Sequence, residues 1–185
     1  AGTVPMKLRK DALVGAAEMI TTLNEIVKQD PAALTVGTVG SLKVQPDARA
    51  IVPEKVTFTI DLRDINIERR NLYAEQMRKR IEEISEMNGL EFSIAEDTNI
   101  KPEPCSGEIL DVMRKASQTM NLDTVPELTS GAFHDALPMA RVAEIGMIFV
   151  RSKDGISHDP KEFSSYEDIA MGTELLYRTV VEKTR

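Results

Sequence analysis

Val56-Thr57-Phe58-Thr59-Ile60-Asp61-Leu62 alternates apolar and polar side chains without a break, the period-two pattern of a strand buried on one face. Upstream, Thr35 to Val44 reads as a second strand, with Gly37 and Gly40 marking a bend or bulge. The turn chemistry of Gln45-Pro46-Asp47-Ala48 between them predicts an antiparallel hairpin. Downstream, Asn66 to Asn88 predicts a charged amphipathic helix with Tyr73, Met77, Ile81, Ile84 and Met87 as its stripe, closed by Gly89 at the left-handed cap. A helix over Asp11 to Gln29 precedes the hairpin, carrying Leu13, Ala16, Ala17, Ile20, Leu23 and Val27 at helical spacing, with Pro31 as its stop. Leu90 to Ile94 reads as a further strand. The order α-β-β-α-β predicts a ferredoxin-like βαββαβ unit that lacks its first strand, within an α/β protein.

Pro102 and Pro104 flank Glu103 in a stiff linker, which divides the chain at 1–101 and 102–185. Beyond it, Ser106 caps a helix with Ile109, Val112, Met113, Ala116 and Met120 on one side. Ile145-Gly146-Met147-Ile148-Phe149-Val150 reads as a short buried strand. Ser164-Ser165-Tyr166-Glu167 has the form of a capping box opening a final helix through Val181. This helix-flanked half resembles the tail of a larger α/β domain.

The chain has 185 residues, 42% of them apolar, enough for a real core. No apolar run is long enough to span a membrane. A net charge of -7 argues against nucleic acid, whose phosphates need a basic face. The single cysteine, Cys105, excludes an internal disulfide and fits a reducing, cytoplasmic setting. Ala1-Gly2-Thr3-Val4-Pro5-Met6 carries no initiator Met and no signal pattern. With the missing first strand, it leads to the expectation of a fragment.

Both histidines lie in loops beside the Ile145–Val150 run: His134 in Ser130-Gly131-Ala132-Phe133-His134-Asp135, and His158 in Gly155-Ile156-Ser157-His158-Asp159-Pro160. Imidazole is a common ligand for zinc-type metals, yet a lone loop histidine is more often simply solvated. Two histidines cannot complete a catalytic zinc centre, which needs three protein groups and an open position. Asp135, Asp159 and Glu162 could assist, although carboxylates beside histidines more often orient them. Arg63, between Asp61 and Asp64, reads either as an exposed salt-bridged strand end or as a guanidinium that clamps a substrate carboxylate.

At these residues the chain resembles the dimetal amidohydrolases that include N-carbamoyl-L-amino-acid hydrolases, allantoate amidohydrolases and β-ureidopropionase, relatives of aminoacylase-type metallopeptidases. The resemblance rests on Ala-Gly-Thr-Val-Pro-Met with Arg9 and Asp11, Thr-Val-Gly at 35–37 and Ile-Asp-Leu-Arg-Asp at 60–64. Ser-Gly-Ala-x-His-Asp-Ala at 130–136 and Met-Ile-Phe-Val-Arg-Ser-Lys-Asp-Gly-Ile-Ser-His-Asp-Pro at 147–160 complete it. It implies a ferredoxin-like lid that also forms a homodimer, followed by the C-terminal part of a metallopeptidase-like catalytic domain. By position, His158 matches a metal ligand, Arg63 the arginine that binds the substrate carboxylate, and Gly131, Ala132 and His134 the loop lining the substrate pocket. The general base and the other ligands are expected upstream, with no catalytic residue in this chain.

The resemblance further implies hydrolysis of the ureido C–N bond of a small carboxylate-bearing substrate, an N-carbamoyl-L-amino acid or allantoate. The complete enzyme would carry two divalent ions (zinc, manganese, cobalt or nickel), and this chain alone would be inactive and hold none tightly. Two positions depart from the family pattern: Ala50 stands where asparagine is usual, and Phe133 replaces a small residue. These departures keep open a rival expectation, a non-catalytic dimerisation module.

Overall fold

The computed structural model describes residues 1–122 and 125–184 and divides into two compact units, Ala1–Pro102 and Glu103–Arg185. In the first unit, helix α1 (Ala12–Val27) starts at Asp11, whose carboxylate accepts from the backbone amides of Leu13 and Val14. Four short strands follow: β1 (Val36–Thr38), β2 (Leu42–Gln45), β3 (Lys55–Phe58) and β4 (Asp61–Arg63). They form one long hairpin in two pieces, β1 antiparallel to β4 and β2 antiparallel to β3. From the pair Thr38 and Asp61 to the pair Leu42 and Phe58, one side advances by one residue more than the other. The extra residue falls at Val39–Ser41, so the interruption expected around Gly40 is a bulge.

Helix α2 (Ile67–Asn88) is capped by Asn66, whose side-chain oxygen accepts from the Arg69 amide, and it ends at Gly89 with φ of 63°. Met19, Leu23 and Ile26 of α1 interlock with Tyr73, Met77, Ile81 and Ile84 of α2, and Phe58, Ile60 and Leu62 of the hairpin pack beneath them. Gly37 permits this close approach: a Cβ there would lie 2.8 Å from Cγ1 of Val27. Two stripe expectations fail. Met87 is 70% exposed, and on α1 the buried face runs through Gly15, Ala16, Met19, Thr22, Leu23 and Ile26 rather than through Leu13 and Ala17. The buried arc is set by where α2 and the hairpin lie, and apolar residues just outside it stay wet.

The expected strand at Leu90–Ile94 is not formed. The segment pairs with no strand among the described residues, and Phe92 is half exposed. An alternating sequence becomes a strand only where a ladder partner takes up its amides and carbonyls.

In the second unit, α3 (Gly107–Thr119) packs against α5 (Tyr166–Lys183), and Ala116, Ser117, Leu175 and Thr179 are their buried residues, with a short turn of helix, α4 (Ala136–Met139), between them in sequence. Ser106 caps α3 as expected, accepting from the Ile109 amide, whereas the box expected at Ser164 and Glu167 forms one residue later, with Ser165 accepting from the Asp168 amide. Ile145–Val150 is likewise not in a ladder. It nevertheless lies tightly on the helix pair, since a Cβ on Gly146 would sit 2.4 Å from Cγ2 of Ile109 and one on Gly172 would sit 2.8 Å from Cγ2 of Val150.

Candidate functional site

Arg63 closes β4, opposite Val36 of β1. Its guanidinium meets the Asp61 carboxylate edge to edge, Nε donating to Oδ1 at 2.9 Å and Nη2 to Oδ2 at 2.6 Å. The two side chains share a face of the strand because they stand two residues apart. The hydrogen bond from Arg63 holds the Asp61 carboxyl below its ordinary range, against the opposing effect of burial, and Asp61 in turn raises the Arg63 pKa. Asp64, next in sequence, points to the opposite side and is buried. Its Oδ2 accepts from Arg69 Nε at 2.6 Å and from the Thr35 hydroxyl, and its Oδ1 accepts from Arg69 Nη2 at 2.7 Å and from the Asn66 amide at 2.8 Å. Burial pushes the Asp64 carboxyl up, but these donors outweigh it and the net shift is downward. Four donors from three residues thus tie the end of β4 to the start of α2. Nothing in the sequence reading anticipated this network; the only signal was an aspartate two residues before a capping asparagine.

In the second unit, His134 sits half-buried just before α4, and its Nε2 shares a 2.6 Å hydrogen bond with the Ser130 hydroxyl. The Ala132 amide donates to the same hydroxyl at 3.2 Å, so Ser130 gathers the loop around the imidazole. The His134 ring meets Phe149 edge-on, with centroids 6.3 Å apart. Gly131 and Ala132 are exposed, and a Cβ on Gly131 would meet nothing within 4 Å. Phe133, one of the two departures, is also turned largely to the surface.

His158 is exposed and has a left-handed backbone with φ of 57°. A side chain in that region costs on the order of 1 kcal/mol or more. The Glu162 carboxylate accepts from the His158 amide at 2.9 Å, and Asp159 accepts from the Lys161 amide at 2.9 Å, so both neighbouring acids are spent holding the loop. The expectation that they assist as ligands therefore meets a competing use. No imidazole partner is present for His158 among the described residues, which leaves a donor nitrogen of the kind a borderline metal takes. Among those residues no three His, Cys, Asp or Glu side chains gather closely enough to hold an ion.

Ala50, the other departure, takes part through its backbone. Its carbonyl accepts from the Gly2 amide at 2.8 Å, and a Cβ on Gly2 would lie 2.7 Å from that oxygen. Arg9 Nη2 donates to the carbonyls of Gly2 and Val4 at 2.8 and 3.1 Å. The opening Ala-Gly-Thr-Val-Pro-Met is thereby folded onto the hairpin loop.

The profile of Peptidase family M20/M25/M40 matches residues 8–182. The chain belongs to this family. The N-carbamoyl-L-amino-acid amidohydrolase of Pseudomonas sp. (strain NS671) is 44% identical over 182 residues, covering 98% of this chain and 44% of the relative. A ureidoglycolate hydrolase of Oryza sativa subsp. japonica is 37% identical, covering 95% of this chain and 36% of the relative. The crystal structure of an amidase of the hydantoinase/carbamoylase family from Burkholderia vietnamiensis superposes with a TM-score of 0.90 at 28% identity, over 98% of this chain and 43% of that one. The chain spans less than half the length of each of these relatives. No described helix is long and apolar enough to cross a membrane.

Proposed function

We propose that the protein is a metal-dependent amidohydrolase that cleaves the ureido C–N bond of N-carbamoyl-L-amino acids, with Arg63 as the clamp for the substrate carboxylate. The observation that carries this reading is the Arg63 fork. It already holds a carboxylate, Asp61, through two parallel charge-assisted bonds, the geometry in which guanidinium recognises carboxylates. Support for the ureido group comes from the 44% identity to a protein named for N-carbamoyl-L-amino acids. His158 contributes one imidazole ligand, which its exposed ring and left-handed backbone suit. The remaining ligands and the general base lie outside this chain. When bound, the ions lower the pKa of a water and polarise the ureido carbonyl.

Around that chemistry the chain's residues orient and enclose. Arg63 fixes the substrate by its carboxylate, which restricts the ureido carbon to one position. His134, held by Ser130, offers a polar group from the Gly131–Ala132 loop. Water adds to the carbonyl carbon, the bond to the amino-acid nitrogen breaks, and that nitrogen leaves protonated with the carboxylate still attached. The first unit acts as a ferredoxin-like lid and dimerisation domain, and the second completes the catalytic domain.

The test is a substrate panel on the full-length protein with zinc, manganese, cobalt or nickel. N-Carbamoyl-L-amino acids are expected to have the highest kcat/KM. A higher value for allantoate or ureidoglycolate would replace the proposed substrate, and no hydrolysis of any ureido acid with any of the metals would overturn the reading.

A further inference from the structure

Asp61 and Asp64 flank Arg63, and the structure uses them in opposite ways. Asp64 is enclosed and engaged by Arg69, Thr35 and the Asn66 amide, so it is committed to the β4–α2 junction. Asp61 spends both oxygens on one edge of the Arg63 guanidinium. That pair is only partly covered, with 34% of the Arg63 side chain and 46% of the Asp61 side chain exposed. A ligand can therefore reach the guanidinium edge, and Asp61 can swing away from it without unfolding the strand.

Under the proposed function, the substrate brings its own carboxylate to Arg63, and the product amino acid still carries it after the nitrogen–carbon bond is cut. We propose that Asp61 is the exchange partner of Arg63. It occupies the guanidinium edge between turnovers, gives way to the substrate carboxylate, and recaptures the edge as the product leaves. Asp61 is thus an affinity-setting residue, and the inference rests on the reading of Arg63 as the carboxylate clamp. Its direction follows from charge. A carboxylate tethered two residues away competes for the same donors and repels an arriving anion, so it weakens every carboxylate ligand. Its size follows from exposure, because a solvent-accessible ion pair shifts an equilibrium by only about two- to fivefold. A pair of that strength can be displaced by substrate at ordinary concentrations and can still compete with product.

The experiment compares Asp61→Asn and Arg63→Ala with the wild type in the full-length metal-loaded protein, using N-carbamoyl-L-alanine as substrate, L-alanine as product inhibitor and the neutral N-carbamoyl-L-alaninamide as control. Asparagine keeps the shape and one acceptor oxygen while removing the charge. Asp61→Asn is expected to lower the KM for the acid and the inhibition constant of L-alanine together, each by roughly two- to fivefold, with the amide's kcat/KM unmoved. Arg63→Ala should raise the KM for the acid by at least roughly tenfold. If Arg63→Ala has that effect but Asp61→Asn leaves the acid's constants unchanged or raises them, Asp61 merely orients Arg63, and the exchange proposal is wrong while the clamp stands. If Arg63→Ala changes nothing, the clamp and the exchange fall together. Thermal unfolding of both variants checks that the fold is intact, and Asp61→Ser, which also removes the charge, must move the two constants in the same direction as Asp61→Asn.

Discussion

Three charged positions within four residues show how local context decides what a residue does. Asp61, Arg63 and Asp64 all lie in Ile-Asp-Leu-Arg-Asp, yet strand alternation sends Asp64 inward and leaves the other two on the accessible face. The buried carboxylate carries a stability consequence. Its pKa is held below the ordinary carboxylate value, so its contribution is fully present above the unfolded-state pKa of about 4 and fades as pH falls through the lower folded-state value. Asp64→Asn should cost about 2 kcal/mol at neutral pH, because Arg69 loses its charged partner while remaining partly covered. Urea unfolding at several pH values checks this: the gap between wild type and variant should shrink below about pH 4, and a constant gap would mean the cost is packing rather than charge. The sequence displayed Arg63 and its acidic neighbours but could not say which aspartate it would hold. Thr35 and Arg69, which decide that, are separated by 34 residues.

At the scale of elements, capping residues and helical stripes were the most legible features, because both are local. Ser106 caps where the sequence placed it, Asp11 and Asn66 stand at the expected helix starts, the final cap falls one residue later than the box at Ser164 implies, and Gly89 ends α2 in the left-handed conformation. The hairpin and its bulge were legible for the same reason, as alternation and two glycines suffice. Leu90–Ile94 and Ile145–Val150 were not, since each needs a strand supplied from elsewhere and alternation cannot reveal whether one is there. Ile145–Val150 does show a second constraint that the sequence hid, its contact with α3 through Gly146. Gly146→Ala would place a methyl 2.4 Å from a β-branched side chain with little room to rotate. The expected loss is roughly 1–3 kcal/mol, read as a lower urea midpoint with an unchanged slope. A variant as stable as wild type would show that α3 does not pack against this run.

For the whole molecule, the motifs that point to one chemistry are distributed over both units: Arg63 in the first, and His134 and His158 in the second. The sequence motifs were legible as a family signature, and the M20 match over residues 8–182 agrees with it. The metal ligands were not legible beyond His158, and among the described residues no three His, Cys, Asp or Glu side chains gather closely enough to hold an ion. Under the proposed function His158 is a metal ligand and Arg63 the clamp for the substrate carboxylate, two roles that separate in experiment. The direct measurement is metal content together with steady-state hydrolysis of an N-carbamoyl-L-amino acid by the full-length protein and its His158→Ala and Arg63→Ala variants. His158→Ala is expected to lose bound metal and at least roughly a hundredfold in kcat, whereas Arg63→Ala keeps its metal and shows a raised KM. A His158→Ala protein with full metal occupancy and a wild-type rate would contradict the role of His158 as a metal ligand.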